Sequence, residues 1–170
     1  MASATITVDS RTTLGALDRL YAAAGDLKPA LKNIGEEVLA GSARDRFVSE
    51  TDPQGRPWPD LNPLYALTKK GPGKLKGESR QLSQIDWQLD GETAVDAGSN
   101  LIYARIHNEG GVIKPKTAAA LVFSMGGQTF KVKSVTIPKR QFLGISDSDM
   151  QTILAIIQDH FEMAMGESAS

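Results

Sequence analysis

The chain has 170 residues, 41% of them apolar and 23% charged, with a formal net charge of −1 and no cysteine. This suffices for one ordinary core, and the near-zero charge excludes both an intrinsically disordered chain and a polyanion binder that works by bulk charge. Without cysteine there is no disulfide, thiol nucleophile, thiolate zinc site or thiol redox chemistry, a usage compatible with a reducing cytoplasm.

In chain order, Thr5-Ile6-Thr7-Val8 reads as a short strand. Leu14, Leu17, Leu20/Tyr21 and Ala24 then recur at helical spacing up to Gly25, a left-handed stop, so a first helix is expected from about Thr12 to Ala24. A second begins at Pro29, which a first helical turn tolerates, with Leu31, Ile34, Val38, Leu39, Ala43 and Phe47 as its apolar stripe. The two helices are expected to pack on each other. No run approaches ~18 apolar residues and the N-terminus has no secretion-signal pattern, so no membrane partner is expected.

Residues 51–77 are rich in Pro, Gly and Lys and read as one long mobile loop, with turns at Asp52-Pro53-Gln54-Gly55 and Gly71-Pro72-Gly73. Trp58, Leu61, Leu64 and Tyr65 give this loop apolar handles. They serve either a partner or, through Trp58, attachment to the chain's own domain.

Two hairpins follow. Ile85, Trp87 and Leu89 alternate with polar residues up to Asp90-Gly91, a two-residue turn signal, and Thr93 to Ala97 returns. Leu121–Met125 and Thr129–Ile137 flank Gly126-Gly127 in the same way. Phe130 and Val132 lie on one parity and Val135 and Ile137 on the other, which predicts a bulge or bend near Ser134. A last helix, capped by Asp147 or Ser148, carries Met150, Ile153, Leu154, Ile157, Phe161 and Met165 and is expected to pack on the sheet. The fold class is α+β in one domain spanning 1–170.

No motif for chemistry survives inspection. His107-Asn108-Glu109 has the His-x-Glu of zinc deaminases without their two cysteines, and His160 is the only other histidine, too few for a His-only zinc site. Gly71-Pro72-Gly73-Lys74 lacks the spacing of a phosphate loop. Neither histidine sits in a hydrolase setting, so no catalytic residue, metal or cofactor is expected. Lys69, Lys70, Lys74, Lys76 and Arg80 form a basic cluster that suits DNA or an acidic protein, although the aromatics that stack bases are missing.

Charge is unevenly placed. Between Gly110 and Ser146 stand Lys114, Lys116, Lys131, Lys133, Lys139 and Arg140 with no acid, whereas from Asp147 onward Asp147, Asp149, Asp159, Glu162 and Glu167 have no Lys or Arg among them. This polarity suits either head-to-tail contact between copies or cancellation within one monomer.

The order of short motifs carries a resemblance. Asp52-Pro53-Gln54-Gly55-Arg56-Pro57-Trp58 with Leu61, Lys69-Lys70, Gln81-Leu82, Tyr103-Ala104-Arg105-Ile106-His107-Asn108-Glu109-Gly110-Gly111 and Ile137-Pro138-Lys139-Arg140-Gln141-Phe142-Leu143-Gly144-Ile145-Ser146 together resemble the phage virion morphogenesis family, the tail completion proteins of Mu-like and P2-like bacteriophages. The likeness runs from about Ile34 to Phe161. It departs from the family pattern at Asn108-Glu109, where Gln-Phe is common, and at Gln81, where Gly often precedes Leu. It implies a non-enzymatic virion protein at the head–tail junction, made in the host cytoplasm. Its implied partners are other copies in a homo-oligomeric ring, such as a hexamer, together with tail-tube and connector proteins, and DNA in the alternative of a head-completion protein lining the genome passage. Expected contact residues are Trp58, Leu61, Tyr65, the five basic residues of the loop, Lys131 and Lys133. Tyr103, His107, Gly110, Gly111, Pro138, Arg140, Phe142 and Gly144 are expected to hold the structure.

Overall fold

In the long second helix Ala30, Ile34, Val38, Ala43 and Phe47 stand at steps of four and five residues and are all buried, with Ala40 buried as well. An ordinary α-helix would carry such a series around its axis by about 40° at each step of four. The computed structural model, which describes residues 11–166, resolves the mismatch with a π-helical stretch. α2 (Lys28–Asn33) runs into π-helix Ile34–Gly41 and on into α3 (Ser42–Ser49), so the wider turn keeps the stripe on one side. The helix ends at Glu50 in the left-handed region, φ 56°.

α1 (Arg11–Gly25) packs on the C-terminal helix α6 (Asp147–Gly166), not on the second helix as its stripe suggests. Its half-buried side is Ala16, Arg19, Leu20 and Ala23, while Leu14, Leu17 and Tyr21 face outward. α1 stops at Gly25 without the left-handed φ anticipated there. The strand expected at Thr5–Val8 lies outside the described residues.

The 51–77 segment is attached to the chain's own core, the second of the two roles that Trp58 offered. Pro53, Trp58 and Leu75 are buried, Thr51 bridges Pro57, and a short helix, α4 (Pro63–Thr68), interrupts the segment. Asn62 caps α4 by accepting from the amides of Leu64 and Tyr65.

β1 (Asp86–Asp90) and β2 (Ala94–Gly98) form the first hairpin. Asp90 pairs with Ala94, so its turn holds Gly91, Glu92 and Thr93, one residue more than the Asp-Gly signal suggests. It docks on the π-helical stretch at Gly35, where an added Cβ would meet the Trp87 ring at 2.6 Å. α5 (Ala104–Glu109), which periodicity did not reveal, precedes a long two-tier arm. The arm pairs β3 (Gly111–Ile113) with β6 (Val135–Ile137) at its base and β4 (Leu121–Met125) with β5 (Gln128–Val132) at its tip. Gly126 and Gly127 make the two-residue turn with φ of 58° and 78°, and the expected break falls at Lys133-Ser134.

α6 packs on α1, α2 and the π-helical stretch, where the sequence pattern suggested the sheet. Among the described residues the three sheets are each two-stranded and offer no broad face to cover. Helical ends and small antiparallel sheets make the class α+β. The main core gathers around Phe47, whose ring meets Trp58 edge-on at 5.5 Å and Phe142 at 5.0 Å, with Leu82, Ile85 and Ala104 closing it.

Candidate assembly surface

The sequence motifs converge on one strap, residues 138–146, which crosses the core between β6 and α6. Asp52 accepts from the amides of Gln54 and Arg56 and from Arg56 Nε, closing a turn that delivers Trp58 into the core. The indole N–H of Trp58 donates to the Gln141 carbonyl at 3.0 Å. Asn108 Oδ1 accepts from the amides of both Phe142 and Leu143, and the His107 carbonyl accepts from the amide of Arg140. Buried Arg140 donates Nε to the Pro59 carbonyl and a terminal nitrogen to that of Asp60. Gly110, at φ 72°, passes so close to the Lys139 backbone that an added Cβ would lie 2.7 Å from its nitrogen. Gly111 opens β3 instead of turning the chain.

The far end of the strap is held by an ion pair. Arg46, buried in α3, donates to the Phe142 and Gly144 carbonyls and to the Asp149 carboxylate, which also accepts from Ser42 Oγ and the Ser146 amide. Ser146 Oγ in turn accepts from the Asp149 amide, so Ser146 is the cap of α6, in place of Asp147 or Ser148. Burial alone would raise the Asp149 carboxyl. The hydrogen bonds from Ser42 and Ser146, with the Arg46 charge, outweigh it and hold the group below its ordinary value.

Phe142 is fully buried beneath the strap, while Gly144 lies on the surface against Pro53. Tyr103 is 39% exposed and stands edge-on to the His107 ring at 6.1 Å. The Nδ1 of His107 is buried without a hydrogen-bond partner. Burial, reinforced by the nearby Arg140 charge, draws this imidazole below its ordinary value, so neutral imidazole is the favoured form.

The loop lysines divide into two sets. Lys69 Nζ donates to the carbonyls of Lys70, Gly71 and Lys76, and Lys74 Nζ donates to the Trp58 carbonyl and pairs with Asp60 at 3.0 Å. These two brace the loop. Lys70 and Arg80 stand exposed and Lys76 half-buried, with Lys70 loosely paired to Glu78 at 3.8 Å. Trp58 is 3% exposed, so it reaches no partner while the loop is in place. Leu61 and Tyr65 line a cavity of about 680 Å³ between the loop and the arm, where Phe123, Met125 and Val135 form the opposite wall and His107, Pro138 and Arg140 the floor. Nothing in the cavity pairs a nucleophile with a base, and among the described residues no three His, Asp or Glu side chains converge as metal ligands do. No helix is long and apolar enough to cross a membrane among those residues.

What the fold leaves outside is conspicuous. Among the described residues sixteen large apolar side chains are exposed, against twelve buried hydrophobic ones. Leu14, Leu17 and Tyr21 lie on α1, Met150, Leu154, Met163 and Met165 on α6, and Val112, Ile113 and Val122 on the arm, whose Lys114, Lys116, Lys131 and Lys133 are exposed as well. Sequence periodicity identified the α1 and α6 stripes but assigned them to the chain's own core. Asn108, Arg46 and Asp149 went unassigned, and the one available signal was the capping-box spacing of Ser146 to Asp149.

No curated protein and no solved structure matches the chain. The model of the phage virion morphogenesis family matches residues 8–162, nearly the whole length, and the chain therefore belongs to this family of phage virion assembly proteins.

Proposed function

We propose that the protein completes the phage tail and joins it to the head, acting as a subunit of a homo-oligomeric ring at the head–tail junction and catalysing nothing. One observation carries the reading: the motif residues Trp58, Asn108, Arg140 and Phe142 all act internally to fix the strap, while the apolar side chains left over face outward on α1, α6 and the arm. Exposed apolar surface on this scale is characteristic of a subunit that buries it against neighbours. The neighbours are other copies, the tail tube and the connector.

Electron microscopy of lysates from the phage lacking this gene, with and without the gene supplied in trans, tests the role. Filled heads beside unattached or malformed tails, cured by complementation, are the expected result; intact infectious particles without the gene would overturn it.

A second reading has its own observation, the acid-free run of lysines on the arm. In it the protein is a head-completion subunit whose Lys131/Lys133 face and Lys69–Arg80 loop touch the genome in its passage. DNA affinity falling steeply with salt supports that reading, and no binding at low salt removes it.

A further inference from the structure

α1 presents apolar residues on two opposite sides. Ala16, Leu20 and Ala23 lie against α6, where Arg19 Nε donates to the Ala164 carbonyl and the His160 ring meets the Ala23 carbonyl. Leu14, Leu17 and Tyr21 point the other way, and Tyr21 is 85% exposed. α6 is likewise wider in its apolar stripe than in the face it buries, since Met150, Leu154 and Met165 on one flank remain about half exposed. A helix apolar all round belongs in an interior, and this pair has only half of one.

Among the described side chains, the exposed ionised ones on this pair are acids: Asp18 on α1 and Asp147, Asp159 and Glu162 on α6. Arg19 is half-buried and bonded to Ala164, and Asp149 is paired with Arg46. The arm is its complement. From Gly111 to Ile137 there is no acid, Lys114, Lys116, Lys131 and Lys133 are exposed, and Val112, Ile113 and Val122 stand uncovered beside them. Within one chain the arm packs on α4 and not on the α1/α6 pair.

We propose that a second copy of this chain covers the α1/α6 pair with its arm, apolar residues meeting apolar residues and the arm lysines facing the α6 acids. The inference rests on the self-assembly proposed above and names the surfaces that perform it. Such a contact joins two different faces, so it repeats from copy to copy and closes into a ring when the rotation per subunit allows. Duplex DNA would satisfy the lysines but leave Val112, Ile113, Val122 and the whole α1/α6 face uncovered, which is why the second copy is the better occupant.

The test measures association of the full chain by sedimentation at low and high salt. It compares wild type, K131E/K133E, D159K/E162K, the four-fold combination and Tyr21→Asp, all at exposed positions, with melting curves to confirm folding. The expected result is a salt-weakened wild-type assembly, a loss of about tenfold or more in association for each reversed pair, recovery in the combination and a loss for Tyr21→Asp. If wild type assembles and the reversed pairs assemble equally well, the interface is overturned while the ring reading stands. A wild type that stays monomeric overturns the interface too, and gene complementation then judges the joining role separately. Loss of duplex DNA binding in K131E/K133E with self-association unchanged overturns it in favour of a nucleic-acid face.

Discussion

Asp149 and Arg46 meet beneath the entry to α6 although they stand 103 positions apart in the chain, and the guanidinium reaches past the carboxylate to the carbonyls of Phe142 and Gly144. The pair is buried on both sides, so removing one partner strands the other. Asp149→Asn is expected to cost about 3–5 kcal/mol of unfolding free energy, read from urea denaturation. The native carboxyl sits below its unfolded value, so its contribution is present above about pH 4 and is lost as pH falls through the native value. The variant should therefore show a shallower acid-side slope than wild type.

His107 acts in a different pH window. Its native value is depressed by burial and by Arg140, so between the unfolded value near pH 6.5 and the lower native one the unfolded chain takes up a proton that the folded chain refuses. Stability should fall as pH drops below about 6.5, and His107→Gln should flatten that slope while leaving the steeper loss at lower pH. Thermal melts stepped from about pH 7.5 to 5.5 check it.

Trp58 is the pin of the 51–77 segment. Trp58→Ala is expected to cost about 3–5 kcal/mol. Trp58→Phe keeps most of the packing on Phe47 but leaves the Gln141 carbonyl without its donor, a loss nearer ~1 kcal/mol. Limited proteolysis should cut the alanine variant first within residues 59–77.

Gly35→Ala would drive a Cβ into the Trp87 ring and should destabilise by about 1–3 kcal/mol, with a change in Trp87 fluorescence best seen in the Trp58→Phe background. Gly25→Ala is the control, since nothing lies within 4 Å of the added carbon. Equal effects from the two substitutions would remove the packing role assigned to Gly35.

Local chemistry was legible in the sequence. The Gly126-Gly127 turn and the break near Ser134 follow from φ preferences and strand parity, which operate over a few residues. The partner of each apolar stripe was not legible. Periodicity says that Leu14, Leu17 and Tyr21 share a side of α1 but cannot say whether that side meets α6 or solvent, and here it meets solvent. α5 escaped because six residues are too short to show a period, and Asn108 drew notice only as a departure from the family pattern, although its carbonyl oxygen receives two amides of the strap. The π-helical stretch left a trace in the four-and-five spacing of Ile34, Val38, Ala43 and Phe47, which looks ordinary until burial is known.

The Arg46–Asp149 contact also bears on when in synthesis this core can close. Until residue 149 has been made and α6 has formed, Arg46 can reach the Phe142 and Gly144 carbonyls but has no anion to meet. A chain cut short before α6 therefore carries an unpaired cation where the finished protein is dry, and it also lacks the helix on which α1 rests. Truncated copies are thus expected to fail at folding, before any assembly step.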